Sequence, residues 1–300
     1  MNQNTSESLV HSVIDWALQK KAEDIQVLDL RGVLDVTEIT DLSVRLRERI
    51  AEDLPVFSGE LEAESVARDG TTKLLLRLPG RGDEGAVSVE TVHIPPLPAK
   101  AAAGRGATLC VSSQAGCPVG CPFCASGLLG LARNLEAHEI VEQYVRGRAL
   151  GQLARSVVMG IGEPLLNYEN LRAALEVVHT DLGLGARKVT VSTVGFPERL
   201  RRIAPTKPPF QLAISLHTPY DAERDELVPA MRGVPIEEVL AAGDDWFEQT
   251  GREVTYEYVL LGGLNDDEAH ADELARRLAG RRCTVNLIPF NPVAESGYAR

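Results

Sequence analysis

Three cysteines stand close together in the segment Gly116 to Cys124, which reads GCPVGCPFC. Cys117, Cys121 and Cys124 are separated by three and then by two residues. A short loop with this spacing can direct three thiolates toward three irons of a cubane 4Fe-4S cluster. Glycine and proline between the cysteines favour the tight turns that such a loop needs. The spacing therefore predicts an iron–sulfur site.

The fourth iron of this cluster has no nearby protein ligand, whereas ferredoxin-type sites fill all four positions with cysteine. An iron with open coordination positions can bind a small molecule through an amine and a carboxylate. The methionine end of S-adenosylmethionine (SAM) presents both groups. One electron passed from the cluster to the sulfonium would cleave a carbon–sulfur bond and release a 5′-deoxyadenosyl radical. The three-cysteine loop thus favours radical chemistry with SAM.

Two other interpretations of the cysteines stay open at this point. They could form most of a structural zinc site completed by one of the six histidines, or they could be buried thiols without a ligand. Buried thiols seldom occur as three in eight residues, and the sequence lacks the second Cys-x-x-Cys pair of zinc ribbons. The spacing favours the cluster.

Length and composition indicate an enzyme-sized globular chain in the cytoplasm. The 300 residues, 44% hydrophobic, can bury a core in one large domain or in a large and a small one. The sequence contains no apolar run of membrane-spanning length, and MNQNTSESLV does not resemble a signal peptide, so we expect no membrane partner. Five cysteines, an odd number, argue against a disulfide scaffold. The net charge of −12 is opposite to that of most nucleic-acid binders, so an RNA partner would have to meet a local basic surface.

The hydrophobic pattern changes along the chain. Helical periodicity over 7–22 and 39–53 predicts a small helical cap, and KLLLRL (73–78) and VSVETVHI (87–94) predict a small antiparallel sheet. A Pro-, Ala- and Gly-rich linker follows. We therefore expect three regions: an N-terminal helical region over 1–54, a small antiparallel β region and linker over 55–102, and a core over 103–300.

In the core, short apolar runs alternate with helical stretches, which is typical of βα units around a parallel sheet. Consecutive right-handed βα units curl into a partial barrel. We expect an α/β fold, a partial (β/α)6 barrel, with helices near 135–150, 168–180, 235–250 and 266–280. The expected strands are 107–113, 156–161, 188–193, 211–217, 253–261 and 284–290.

Small, polar or chelating residues follow several of these strands, where the carboxyl ends of a barrel's strands carry the site. Together with the cysteine loop they could surround a cluster and bind SAM through backbone and hydroxyl groups. His217 alone could equally be a histidine that anchors backbone. These residues are Gly162, Glu163, Ser192, Thr193, Ser215, His217 and Asn291.

Six segments of the chain resemble the RlmN/Cfr family of radical-SAM RNA methyltransferases, most closely the RlmN branch. The resemblance spans about residues 40 to 300 and implies a radical-SAM barrel with a helical cap and a β extension. It implies methylation of carbon 2 of adenine in 23S rRNA and in tRNA, a 4Fe-4S cluster and SAM as cofactors, an electron donor such as flavodoxin, and a monomer. The segments are TLCVSSQAGCPVGCPFCASGLLGLARNL (108–135), VVMGIGEPLLNYEN (157–170), RKVTVSTVG (187–195), LAISLHTP (212–219), VTYEYVLLGGLND (254–266) and VNLIPFNP (285–292).

The resemblance also implies roles for individual residues. It assigns the cluster to Cys117, Cys121 and Cys124. It makes Glu90 a proton acceptor and Cys110 the thiol that helps to resolve a protein–RNA adduct, although alone these residues would be read as an exposed strand carboxylate and a core cysteine. Cys283 matches no catalytic position and is expected to pack. The implied SAM site comprises Gly162, Glu163, Ser192, Ser215, Leu216, His217 and Asn291.

The chain departs from the family pattern after its last strand. Family members place an Ala-Cys-Gly-Gln-Leu segment near their end, whose cysteine carries the methyl group, and this sequence stops at Arg300 without it. We expect a fragment of a complete methyltransferase, with a shortened paralog as the other explanation. A radical-SAM enzyme with a different outcome and a non-enzymatic RNA- or ribosome-binding remnant are the alternative functions. Basic residues that could contact RNA, or simply lie on solvated helix faces, are Arg133, Arg146, Arg148, Arg199, Arg201 and Arg202.

Overall fold

The computed structural model of the protein describes residues 57–293 and 296–300. The helices expected over 7–22 and 39–53, and with them the expected region 1–54, lie outside the described residues. Residues Phe57–Arg300 form one compact unit. The division of the chain at residues 54 and 102 stays a prediction.

Eleven strands and eight α-helices make up the described part of the chain. The strands are β1 (Glu60–Val66), β2 (Thr72–Leu78), β3 (Val87–Ile94), β4 (Ala107–Cys110), β5 (Gln114–Gly116), β6 (Leu131–Asn134), β7 (Leu153–Val158), β8 (Val189–Thr193), β9 (Gln211–Ser215), β10 (Val254–Leu260) and β11 (Cys283–Pro289). The helices are α1 (Pro98–Ala102), α2 (Ala125–Leu128), α3 (Ala137–Ala149), α4 (Tyr168–Thr180), α5 (Pro197–Ile203), α6 (Asp221–Leu227), α7 (Ile236–Thr250) and α8 (Glu268–Leu278).

Nine of the described strands form one sheet in the order β1-β2-β3-β4-β7-β8-β9-β10-β11. The six strands β4, β7, β8, β9, β10 and β11 pair in parallel, as the sequence predicts, and confirm the partial barrel of βα units. The strands β1, β2 and β3 are antiparallel. They extend the barrel sheet instead of forming a small sheet of their own, because β3 pairs with β4, with Val92 opposite Cys110.

The two faces of the sheet differ in character because successive side chains of a strand point to opposite sides. One face packs against helices: Gly147 of α3 lies so close to Leu109 of β4 that an added Cβ would come within 2.3 Å of its side chain. Tyr144 of α3 also bonds to Ser156 of β7 at 2.7 Å. The opposite face carries partly buried side chains, among them Cys110, Thr190, Ser192 and Ser215. This second face is available for a site.

Strand β4 ends earlier than predicted because a side chain replaces its neighbouring strand. The Gln143 amide of α3 accepts a hydrogen bond from the Ser112 backbone N–H at 2.8 Å and donates one to the Ser112 carbonyl at 2.9 Å. Both groups are buried, so the amide satisfies backbone polar groups that a strand would otherwise pair. The chain is thereby free to turn toward the cysteine loop.

Seven of the described elements were not predicted individually: β1, β5, β6, α1, α2, α5 and α6. Strand β1 is exposed along its whole length and alternates glutamates without an apolar face, so it carries no strand signal. The helices α5 and α6 are short, with seven residues each. None of the helices in the described residues combines the length and hydropathy that a membrane crossing requires.

Candidate functional site

The cysteine loop is closed at its base by a small hairpin. Strands β5 and β6 pair antiparallel, and the Cys117 N–H donates to the carbonyl of Gly130 at 2.9 Å. Gly116 has a φ of +76°, and an added Cβ would lie 1.9 Å from that same carbonyl oxygen, so only glycine fits there. Within the loop, the Cys124 N–H donates to the Cys121 carbonyl at 3.1 Å, just before α2 begins. The backbone therefore holds the three cysteines in a compact turn.

The three thiols lie near one another in a poorly solvated place. Burial raises the pKa of Cys117 to about 11. Burial, and then the charges of Cys124 and Cys117, raise the pKa of Cys121 strongly as well. Such thiols resist ionisation unless a metal ligates them, because coordination replaces the lost hydration of the thiolate.

The donor set fits an iron–sulfur cluster. Cysteine thiolates are the usual ligands of such clusters, and three from one loop can each bind a different iron of a cubane. Among the described residues, no group of three Cys, His, Asp or Glu side chains is arranged to hold a single metal ion.

Glu163 is almost fully buried and anchors the strand ends beside this loop. Its Oε1 accepts hydrogen bonds from the Thr193 hydroxyl at 2.6 Å and the Leu165 N–H at 2.9 Å, and its Oε2 accepts one from the Val194 N–H at 2.9 Å. Burial raises the pKa of this carboxyl, which the three hydrogen bonds oppose. The carboxylate thus ties the end of β7 to the end of β8, and Oε2 retains one acceptor position for a ligand.

Gly162 allows the backbone to pass very close to the cysteine hairpin. Its φ is +112°, and an added Cβ would meet the Gln114 Cβ at 2.6 Å and the Ser113 Oγ at 2.8 Å. The buried Ser113 hydroxyl has no hydrogen-bond partner among the described residues. An unpartnered buried hydroxyl beside a glycine-lined approach suits a polar ligand.

Ser192 and Ser215 lie on adjacent strands, β8 and β9, on the sheet face that carries the partly buried side chains. Their hydroxyl oxygens are 3.4 Å apart. The next residue, Leu216, is fully buried, and its N–H donates to the Glu257 carbonyl at 3.0 Å, so its side chain is part of the core. The two serines are brought together as predicted, whereas Leu216 can reach a ligand through its backbone alone.

His217 anchors the backbone that follows β9. Its Nδ1 accepts a hydrogen bond from the Val259 N–H at 3.2 Å, and its own carbonyl accepts one from the Asn265 amide at 2.6 Å. Its φ is +64°, a strained conformation for a residue with a Cβ. Burial, and then Arg224, lower the pKa of His217 to about 3, so the ring is neutral and carries its proton on Nε2.

Asn291, Glu90 and Cys110 lie in different surroundings. Asn291 is exposed just after β11. Glu90 and Cys110 share one face of β3 and β4, since Val92, on the same face as Glu90, is paired with Cys110. The Glu90 carboxylate accepts a hydrogen bond from Lys73 at 2.8 Å. Burial raises the pKa of Cys110 to about 11, so its thiol is protonated near neutral pH.

Arg224 of α6 is a site residue that the sequence reasoning missed. It is 1% exposed, and its Nη2 donates to the carbonyls of Val194 and Ser215 at 2.6 and 3.3 Å. A signal existed, because Arg224 stands one turn before the buried Leu227 on the apolar side of a short helix. A buried arginine at such a position calls for an anionic partner.

Most of the basic residues considered for RNA have structural partners. Buried Arg133 donates to both carboxylate oxygens of buried Glu139, at 2.8 and 2.9 Å. Arg146 bonds to Glu142, and Arg199 donates to the Leu165 carbonyl. Because ion pairs of this kind hold elements together, Arg133 and Arg146 are not free to meet phosphates.

The fold and the cysteine loop are those of the radical SAM class. A sequence model of the "Radical SAM superfamily" matches residues 111–275. The crystal structure of a radical SAM methyltransferase from Sphaerobacter thermophilus is 38% identical and superposes with a TM-score of 0.81, covering 96% of this chain and 86% of that one.

Curated relatives refine this class. A protein of Nostoc punctiforme is 44% identical over 273 residues, which cover 90% of this chain and 73% of the relative. One of Rhodopirellula baltica is 43% identical over 296 residues, covering 95% of this chain and 76% of the relative. Both are named "probable dual-specificity RNA methyltransferase RlmN". The chain belongs to the RlmN family of the radical SAM superfamily.

Proposed function

We propose that the chain is a radical SAM RNA methyltransferase that methylates carbon 2 of an adenine in 23S rRNA, with tRNA as a second substrate. The observation that carries the proposal is the closed three-cysteine loop beside the polar ends of β7, β8 and β9. The similarity to relatives named as RNA methyltransferases supports the substrate class. Radical chemistry suits this target, because carbon 2 of adenine is electrophilic and offers a methyl cation nothing to attack.

The family resemblance and the geometry of the site together support the following cofactor roles. Cys117, Cys121 and Cys124 would hold a 4Fe-4S cluster, which together with SAM supplies the 5′-deoxyadenosyl radical. Gly162 lets the backbone approach the amino-acid end of SAM, and Glu163 offers its remaining Oε2 acceptor position to the ammonium group. Ser192 and Ser215 present hydroxyls 3.4 Å apart to the SAM carboxylate or ribose. Leu216 contributes backbone, His217 keeps that backbone in place, and Asn291 closes the site from the end of β11.

The RNA chemistry is assigned to the face of β3 and β4 that carries Glu90 and Cys110. Glu90 accepts the proton that leaves carbon 2 of the adenine, and Lys73, bonded to its carboxylate at 2.8 Å, holds that carboxylate on the strand. Cys110 helps to release the RNA from the protein, for which its thiol must first lose the proton that burial retains. Both residues lie on one face, so they can act on one bound base.

The remaining partners belong to the same proposal. A low-potential donor such as flavodoxin supplies single electrons, and the chain acts as a monomer in the cytoplasm. A radical SAM enzyme with a different outcome is the competing function, and it shares the loop and the strand ends but not the product.

The test measures two products from one anaerobic reaction. Reconstituted protein, joined at its carboxyl end to the extension of a complete relative that carries Ala-Cys-Gly-Gln-Leu, is incubated with SAM, a strong one-electron reductant and unmodified 23S rRNA, with its Cys121→Ala variant as the control. We expect 5′-deoxyadenosine and, by mass spectrometry of digested RNA, 2-methyladenosine from the parent and neither product from the control. Abundant 5′-deoxyadenosine without any 2-methyladenosine from the parent would favour the competing function.

A further inference from the structure

Arg224 is held in place through one of its three nitrogens. Its Nη2 bonds to the Val194 carbonyl at 2.6 Å and to the Ser215 carbonyl at 3.3 Å, which follow β8 and end β9 respectively. These are the strand ends beside the cysteine loop. The guanidinium is therefore fixed at the mouth of the site by two backbone groups.

The other two nitrogens of Arg224 have no partner among the described residues. Its Nε and Nη1 are buried and make no hydrogen bond there. Leaving buried donors unpaired costs about 1–3 kcal/mol, and more when the group is charged. Burial lowers the pKa of Arg224 only to about 10, so the side chain remains a cation near neutral pH. Burying a cation with unpaired donors costs folding free energy unless an anion lies beside it.

The charged and titratable groups around Arg224 come from several elements. On its own helix, Asp221 and Asp225 act on it electrostatically without bonding to its free nitrogens. The cysteine loop packs beside this helix, because the Ala230 N–H of the turn that follows α6 donates to the carbonyl of Val119, between Cys117 and Cys121, at 3.2 Å. Cys121 of that loop raises the pKa of Arg224 more than the two aspartates do. From the end of β9, the neutral His217 ring lies nearby. The cysteine loop is thus the potential anionic partner that packs beside the helix of Arg224.

We propose that Arg224 is a positioning residue for the cluster: its buried cation stabilises the negative charge on the Cys121 side and makes the cluster easier to reduce. The inference rests on the proposed function, because it needs a cluster on the three cysteines. Reduction by a one-electron donor adds one negative charge and breaks no bond in the protein. A fixed cation in a poorly solvated place favours the reduced state of the cluster, which is the more negative one.

The experiment compares reconstituted Arg224→Met, Arg224→Lys and the parent chain. Methionine removes the charge at similar length, and lysine keeps it. Arg276→Met serves as the surface control, because Arg276 is exposed and paired with Glu273 on α8. Iron per chain, the midpoint of a redox titration followed by electron paramagnetic resonance, and the Kd of SAM are measured for each.

We expect the cluster in Arg224→Met to be harder to reduce than the cluster in the parent. The equilibrium constant for its reduction should fall at least tenfold, a shift of about 59 mV to more negative potential for one electron. Arg224→Lys and Arg276→Met should stay near the parent. An unchanged midpoint in iron-loaded Arg224→Met overturns the proposal, and so does weaker SAM binding at an unchanged midpoint, which would assign Arg224 to the SAM carboxylate. If neither Arg224 variant folds, the residue is a structural tie and the proposal is wrong. Failure of the parent chain itself to take up iron would instead refute the proposed function.

Discussion

The ring of Phe123, which lies between two cysteines of the loop, packs edge to face on the ring of His217, with centroids 5.0 Å apart and an interplanar angle of 78°. His217 is fixed by the Val259 N–H, and Phe123 lies in the turn that the Cys124 N–H closes by donating to the Cys121 carbonyl. The contact thus connects the cysteine loop to the strand ends that carry Ser192 and Ser215.

This contact should be measurable as a coupling energy. In a double-mutant cycle of Phe123→Leu and His217→Asn, we expect a coupling of about 0.5–1.5 kcal/mol, the range of aromatic pairs. Asparagine is chosen because it tolerates positive φ. Urea unfolding of the apo chain gives the free energies, and Phe123→Leu should also lose iron faster after reconstitution. Phe210→Leu, which disrupts a stacked pair with Trp246 away from the loop, should lower stability without changing iron loss. Additive effects of the first two substitutions would contradict the coupling.

Iron content distinguishes the cluster cysteines from the packing cysteine. The parent chain should bind about four irons after anaerobic reconstitution, as a cubane requires. Cys121→Ala should lose the cluster, whereas Cys283→Ala on the partly buried β11 should retain it. Iron and sulfide assays with the brown absorbance check both. One zinc per parent chain with no iron uptake would refute the cluster.

Gly162→Ala should destabilise the protein by about 1–3 kcal/mol, because its φ of +112° and a contact of 2.6 Å with Gln114 leave no room for a methyl group. The matched control is Gly185→Ala, where φ is −62° and nothing lies within 4 Å of the added carbon. That control should be neutral or stabilising by about 0.4–1 kcal/mol. Urea unfolding measures both. Equal effects at the two positions would show that the close approach at Gly162 is not real.

The alkylation of Cys110 should depend steeply on pH. Because burial raises its pKa to about 11, the reactive thiolate is scarce at pH 7 and grows about tenfold for each pH unit up to that value. Iodoacetamide labelling of the native chain between pH 7 and 10, followed by mass spectrometry of peptides, reports this rate separately from the other thiols. A rate that levels off below pH 9 would mean that Cys110 is more solvated than the structure shows. Cys110→Ser identifies the peptide.

The sequence predicted the parallel part of the fold well. Its six strands lie in short runs in which Val, Ile and Leu alternate with or adjoin small polar residues, a pattern that predicts strands. The intervening helices were long enough to show their period. The helices α5 and α6 are seven residues long, so too few turns exist for a period to stand out. Strand β1 is exposed along its whole length and lacks an apolar face, so its local sequence pattern does not predict a strand.

By itself, the sequence determined the chemistry that the site can perform, because three thiols in eight residues are brought together by chain connectivity alone. It also determined which residues follow the parallel strands, since strand order and direction place them at one rim. Only the tertiary structure decided what those residues do there. Glu163 accepts hydrogen bonds from Thr193, Val194 and Leu165, and the Nδ1 of His217 accepts one from Val259. Arg224 reaches the same rim from a separate helix. The bonds of Glu163 with Thr193 and Val194 and of His217 with Val259 join residues 30 to 42 positions apart, and their distances depend on packing that no local spacing encodes.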